Sequence, residues 1–183
     1  MNMKILISRI FFKLTGWTTK GGVPPEIRKC VLVAAPHTSN WDFFYCMCAL
    51  YLMKVNVKFL AKKSLFNFPL GLVMYPTGGI PVDRTKNTNM VETMVKMFAE
   101  RDDFVLMIPA EGTRGKVKEW KSGFYHTAVQ SGVPIMMGYL DYKFKVAGIE
   151  NVFYPSGDFE ADLPKIKAYY KGIHAKHPEL ASV

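Results

Sequence analysis

The sequence predicts an α/β fold, a single-domain sandwich whose mostly parallel, mixed central sheet is flanked by helices. Three features lead there. Short continuous apolar runs, such as CVLVAA at 30–35 and FVLMI at 104–108, read as strands buried on both faces. Stretches with helical periodicity lie between such runs, and strands alternating with helices imply a parallel sheet covered by helices. The 183 residues suit one hydrophobic core.

The elements follow in chain order. Met3, Leu6, Ile7, Ile10, Phe11, Leu14 and Trp17 recur at helical spacing, with Lys4, Ser8, Arg9 and Lys13 largely opposite, so residues 1–17 form an amphipathic helix. Such a helix either packs on the domain or lies in a membrane interface with its basic residues toward anionic headgroups. TTKGGVPP at 18–25 is turn chemistry that joins this helix to a body at 26–183. The strand at 30–35 leads to a helix at 40–54, which Thr38, Ser39 or Asn40 can cap. A strand at 56–61, helical turns at 63–75 interrupted by Pro69 and Gly71, and a brief strand at 79–82 come next. Asn89 and Glu92 supply a capping box for a helix at 89–101, with Met90, Met94, Met97 and Phe98 as its inward stripe. After the strand at 104–108 come a helix at 122–131, stopped by Gly132, and a strand at 133–140. Segments 142–146 and 151–154 read as antiparallel additions at the sheet edge, before a last helix at 161–176.

A net charge of +9 favours anionic partners: phosphorylated metabolites, acidic lipid surfaces or nucleic acid. Nucleic acid is the poorest of these, because there is no RNA-recognition sheet motif, zinc-finger spacing or long basic stripe. The 3 cysteines sit in apolar segments and read as buried thiols of a reducing cytosol, not as a disulfide framework or a metal site. No apolar run reaches the roughly 18 residues of a membrane-spanning helix; the longest, 43–53, is bounded by Asp42 and Lys54. Lys4, Arg9 and Lys13 break up the apolar core a signal peptide needs, so the N-terminal segment reads as retained.

In open α/β sheets reactive groups collect beyond the carboxyl ends of the strands. Three segments fit. His37 follows CVLVAAP, Asp83 and Arg84 follow GGIPV, and Glu111 to Arg114 follow FVLMIPA. With a helix starting near residue 40, Asp42 lies in its first turn, where the helix dipole favours a carboxylate, and can reach back to His37. A carboxylate on one ring nitrogen fixes the tautomer and leaves the other nitrogen to accept a proton. Taken alone, such a pair is more often a cap-region charge with an incidental histidine beside it, and Asp83 and Arg84 can be read as an ion pair with each other or with Glu111 at the sheet edge. The company of all three segments changes the reading.

HTSNWD at 37–42, GGIPVDR at 78–84, EGTR at 111–114 and VPI at 133–135 resemble, in order and spacing, the four sequence blocks of the glycerophospholipid acyltransferase family, the 1-acyl-glycerol-3-phosphate acyltransferases and their relatives. The resemblance implies that fold, and transfer of a fatty acyl group from acyl-CoA or acyl carrier protein to a hydroxyl of a lyso-glycerophospholipid such as 1-acyl-glycerol-3-phosphate. It implies His37 as general base and Asp42 as the group that orients it. The block with Gly79, Asp83 and Arg84 would bind the acceptor's phosphate; Glu111, Gly112, Thr113 and Arg114 would hold the acceptor and organise the pocket; Lys121, with Lys116 and Lys118, either attracts phosphates of the donor or headgroup or is simply part of a solvated basic loop. A thioester is already activated, so no enzyme nucleophile, metal or bound cofactor is implied, and the chain has no Gly-x-Ser-x-Gly elbow. Ala110 and Pro81 depart from the usual third and second blocks and reshape the acceptor pocket. A lipid acceptor turns the first helix into an expected membrane-surface anchor, making the protein peripheral on the cytoplasmic, inner face of a membrane. Two alternatives stay open: another lipid or non-glycerolipid acceptor, and a non-enzymatic basic module that binds lipid or nucleic acid.

Overall fold

The computed structural model describes residues 2–83 and 89–182. Among them, strands β1 (Thr18–Gly21), β2 (Lys29–Ala34), β3 (Val57–Lys62), β4 (Gly79–Val82), β5 (Phe104–Pro109), β6 (Ile135–Asp141) and β7 (Val146–Phe153) form one sheet in the order β1-β7-β6-β2-β5-β3-β4. The run from β6 to β4 is parallel throughout, β7 is antiparallel to β6, and β1 is parallel to β7. The helices are α1 (Met3–Thr15), α2 (Asn40–Leu52), α3 (Gly71–Met74), α4 (Met90–Ala99), α5 (Gly123–Ser131) and α6 (Phe159–Tyr170).

Alternation along β2 explains why its sequence is apolar without a break. Val31 and Val33 pack with residues of α4, α5 and α6, including Phe98, Phe124 and Ile166, while Cys30 and Leu32 pack with Met47 and Leu50 of α2 and with Phe59 and Phe66. Successive side chains of a strand point to opposite faces, so a sheet covered twice needs apolar residues at both parities. The result is a three-layer sandwich with β2 and β5 at its centre.

Three expectations need correction. Residues 18–21 form a strand, not a turn: exposed at all four positions, they are held by backbone pairing to the edge of β7. The two antiparallel pieces expected near the C-terminal edge are one strand, β7, flanked by β1. Its continuity is hidden in the sequence by Asn151, which takes φ 60 and is the unpaired residue of a bulge opposite Met136 and Met137. The last helix stops at Tyr170, because Lys171 already takes extended backbone (φ -60, ψ 124), with Gly172 following at φ 91. Helix α1 keeps much of its sequence-read apolar arc outward. Phe12 and Ser8 are buried against the body, with the Ser8 hydroxyl donating to the Lys4 carbonyl, whereas Met3, Ile7, Ile10 and Leu14 face solvent.

Asn2 caps α1 through the N–H of Lys4, and Gly16, at φ 74, ends it. Phe12 and Trp17 then join Tyr45, Cys48 and Ala49 of α2 in a cluster that fastens α1 beside α2. No helix of the described residues is long and apolar enough to cross a membrane.

Candidate functional site

The carboxyl ends of β2, β5, β3 and β4 lie along one edge of the sheet because these strands are parallel. β2 pairs directly with β5, with Ala34 opposite Pro109, so the loops that follow them must be neighbours. This pairing brings His37 to Glu111 across 74 residues of sequence: the Glu111 carboxylate accepts from the His37 backbone N–H at 2.6 Å. β4 stands two strands beyond β5, roughly 10 Å further along the edge.

The local geometry at His37 is that of a helix start. Ser39 is the N-cap of α2, its hydroxyl accepting from Trp41, and Asp42 occupies the third helical position. A carboxylate there reaches back over the cap, and Asp42 Oδ2 accepts from the N–H of Ser39 at 2.9 Å, from Thr38 at 2.8 Å and from His37 Nδ1 at 3.0 Å. The four intervening residues are what a capping box needs to bring the carboxylate level with the residue two before the cap. Asp42 is 4% exposed. Burial alone would lift its carboxyl, but donation from His37, Tyr142, Ser39 and Thr38 outweighs it and holds the group below the ordinary aspartate range. An ionised carboxylate can only accept, so Nδ1 of His37 carries the ring proton and Nε2 is the nitrogen left to take one.

Glu111 stands behind this pair. At 1% exposure it accepts from His37 with one oxygen and from the Ser182 N–H at 3.1 Å with the other. Burial outweighs these two donors and leaves its carboxyl above the ordinary glutamate value. Both oxygens serve backbone donors, so Glu111 acts on the shape of the His37 loop.

His37 and Asp42 open onto a cavity of about 730 Å³. Gly112, Thr113 and Arg114 line it beside them, and Leu50, Phe59, Leu70, Val73 and Met107 make much of its wall apolar. Arg114 is exposed at the mouth. Cys46 also lines the cavity, but burial, then the nearby Asp42 and Cys48, push its thiol up to about 12, so it stays protonated at neutral pH and is a poor nucleophile.

The other sequence-read residues are placed as follows. Lys121 lays its stem against Gly112, where an added Cβ would meet Lys121 Cγ at 3.0 Å. Gly79 is a packing position: a Cβ there would come within 3.0 Å of the Phe66 ring and 2.8 Å of the Met74 carbonyl. Asp83 follows β4 and is exposed, and Arg84 lies outside the described residues.

Residue-level reading missed two parts of the site. The Tyr142 hydroxyl donates to Asp42 Oδ1 at 2.6 Å, from 100 residues away. The segment after α6 crosses the same edge, His177 donating its N–H to Thr38 Oγ1 at 3.2 Å and Ser182 reaching Glu111. Neither has a sequence signal, since each is made by topology.

A family model described as Acyltransferase matches residues 22–137, which span β2, α2 and both the His37 and Glu111 loops. The chain belongs to the acyltransferase family. Among relatives of this chain, a 1-acyl-sn-glycerol-3-phosphate acyltransferase of Limnanthes alba is 30% identical over 128 residues, covering 63% of this chain and 44% of that protein. A 1-acyl-sn-glycerol-3-phosphate acyltransferase beta of Homo sapiens is 31% identical over 116 residues, covering 61% and 41%. The chain thus spans less than half the length of these curated relatives. The crystal structure of the 1-acyl-sn-glycerophosphate (LPA) acyltransferase PlsC from Thermotoga maritima superposes with a TM-score of 0.63 over 92% of this chain and 75% of that one, at 18% identity, which shows a shared fold.

Proposed function

We propose that this protein transfers a fatty acyl group from an acyl thioester, acyl-CoA or acyl carrier protein, to a hydroxyl of a lyso-glycerophospholipid such as 1-acyl-glycerol-3-phosphate. The observation that carries the reading is a histidine held by a buried carboxylate on the wall of an apolar cavity that also holds an arginine. His37 Nε2 takes the proton of the acceptor hydroxyl as its oxygen attacks the thioester carbonyl. The tetrahedral intermediate then collapses, the carbon–sulfur bond breaks, and the imidazolium returns the proton to the departing thiolate. Ester and free thiol are the products, and no enzyme-bound acyl group is needed. Arg114, with its rigid guanidinium fork, suits the acceptor's phosphate. The apolar wall suits an acyl chain.

Acceptor and enzyme meet at a membrane surface in this reading. Met3, Ile7, Ile10 and Leu14 on α1, together with Phe68, Leu70, Leu72, Val73 and Tyr75 on and beside α3, are exposed apolar side chains. The two patches adjoin, since the Lys4 ammonium of α1 donates to the Pro76 carbonyl at 2.6 Å. Leu70 and Val73 belong both to this patch and to the cavity wall, so the cavity opens onto it. Lys4, Arg9, Lys13, Lys62 and Lys63 are exposed and favour an anionic leaflet, which supports a peripheral position on the inner, cytoplasmic face.

The test is His37→Ala assayed for free thiol release from acyl-CoA with a panel of lyso-phospholipids and other hydroxyl acceptors. Loss of roughly 10² to 10⁴ in rate with an intact thermal transition is expected. Undiminished transfer by this variant would overturn the mechanism; wild-type transfer confined to non-glycerolipid acceptors would overturn the acceptor.

A further inference from the structure

The Asp42 carboxylate is held unevenly. Its Oδ2 takes three donors, from His37, Thr38 and Ser39, all within five residues of it. Three bonds on one oxygen locate that oxygen but leave the plane of the carboxylate able to turn about it. Among the described residues, the bond to the other oxygen is made by Tyr142, at 2.6 Å. A distance this short is typical of a hydroxyl donating to an ionised carboxylate.

Tyr142 is itself fixed from several sides. It lies at the turn between β6 and β7, and its backbone N–H donates to the His174 carbonyl at 2.8 Å. The adjoining Asp141 carboxylate anchors the turn, accepting from the N–H groups of Lys143 and Phe144 at 3.0 Å each and from His174 Nδ1 at 3.1 Å. The Tyr142 ring meets Trp17 edge-on at 5.0 Å and Tyr45 at 5.8 Å, and the Lys176 ammonium lies 5.9 Å from its centroid. Burial, then the Asp42 carboxylate, keeps the hydroxyl protonated far above neutral pH, so it remains a donor wherever the enzyme works.

We propose that Tyr142 is a positioning residue of the site: by pinning Oδ1 it sets the plane of the Asp42 carboxylate, which holds His37 in its Nδ1–H tautomer with Nε2 free to accept a proton. The inference rests on the reading of His37 as general base. Tyr142 lies outside the residues matched by the family model, 22–137, so the family pattern does not point to it. It touches the base only through Asp42.

Tyr142→Phe removes the hydroxyl and keeps the ring against Trp17 and Tyr45, so the fold should be retained. The expected result is a fall in kcat of about tenfold to a hundredfold with KM for both substrates little changed, because what is lost is alignment at the reacting proton. In a His37→Ala background the same substitution should cost nothing further, since the tyrosine acts through the imidazole. Long-range ¹H–¹⁵N correlation of the His37 ring gives a readout independent of turnover: one tautomer in the wild type, averaged nitrogen shifts in Tyr142→Phe. Unchanged ring shifts, additive losses in the double variant, or a KM rise that tracks a lowered melting temperature would each overturn the proposal. Should the wild type transfer no acyl group, the proposed function fails by itself and the nitrogen shifts still decide whether Tyr142 sets the tautomer.

Discussion

Glu111 illustrates how one buried side chain can hold a loop of the site in place. Among the described residues its two oxygens accept from the N–H groups of His37 and Ser182, and both bonds are shielded from water. Glutamine in its place offers one carbonyl oxygen and one amide that has nothing to accept from it, leaving a buried N–H unpaired. Glu111→Gln should therefore cost about 1–3 kcal/mol of stability by urea denaturation, and should lower kcat by releasing the loop that carries His37. A variant with unchanged urea midpoint and unchanged turnover would show that the two bonds hold nothing in place. The contact Glu111 makes was not legible at the level of the residue: the motif read as holding the acceptor and organising the pocket, and only the β2–β5 pairing shows that the carboxylate faces the His37 backbone. Asp42 was legible, because a carboxylate in the first turn of a helix has few places to point.

At the scale of elements, α1 is the instructive case. Periodicity located the helix, and the structure bounds it at Met3–Thr15 between Asn2 and Gly16. Periodicity did not decide which side the protein keeps. The wide apolar arc exceeds what one neighbour can cover: Phe12 and Trp17 take the contact with α2, and Met3, Ile7, Ile10 and Leu14 are left outward. Replacing Ile7, Ile10 and Leu14 together by serine should change folding stability little, since the three positions are exposed, serine matches isoleucine in helix propensity and falls only slightly below leucine. Binding to anionic phospholipid vesicles, measured by co-sedimentation, should weaken at least about tenfold from the lost apolar burial. Vesicle binding equal to the wild type would remove α1 from the membrane surface. Strand β1 is the converse case, four exposed residues with no apolar pattern that exist only because β7 offers an unpaired edge.

For the whole molecule, buried carboxylates tie the layers together and set its response to acid. Asp162 of α6 accepts from the Tyr125 hydroxyl of α5 at 2.7 Å and from the N–H and hydroxyl of Ser156 at 2.7 and 2.8 Å, so it joins α5, α6 and the connection after β7. Burial alone would raise Asp42, Asp141 and Asp162, but their donors win and all three lie below the ordinary aspartate range. A folded pKa below the unfolded value of about 3.9 contributes stability that is complete above that value and is lost as pH falls through the folded one. Glu111, raised by burial, runs the opposite way, and three groups outweigh one. The urea midpoint should therefore change little from neutral pH to about 5 and fall below about 4, with a shallower fall in Asp162→Asn; a midpoint flat through that range would refute the linkage. By itself the sequence determined the three-layer α/β class and the pairing of His37 with Asp42, because apolar periodicity and helix-cap spacing act over a few residues. Only the tertiary structure decided that Glu111 backs His37, that Tyr142 completes the Asp42 shell and that α1 shows its apolar stripe to solvent, because these contacts join residues 74 and 100 apart or depend on which surface another element leaves uncovered.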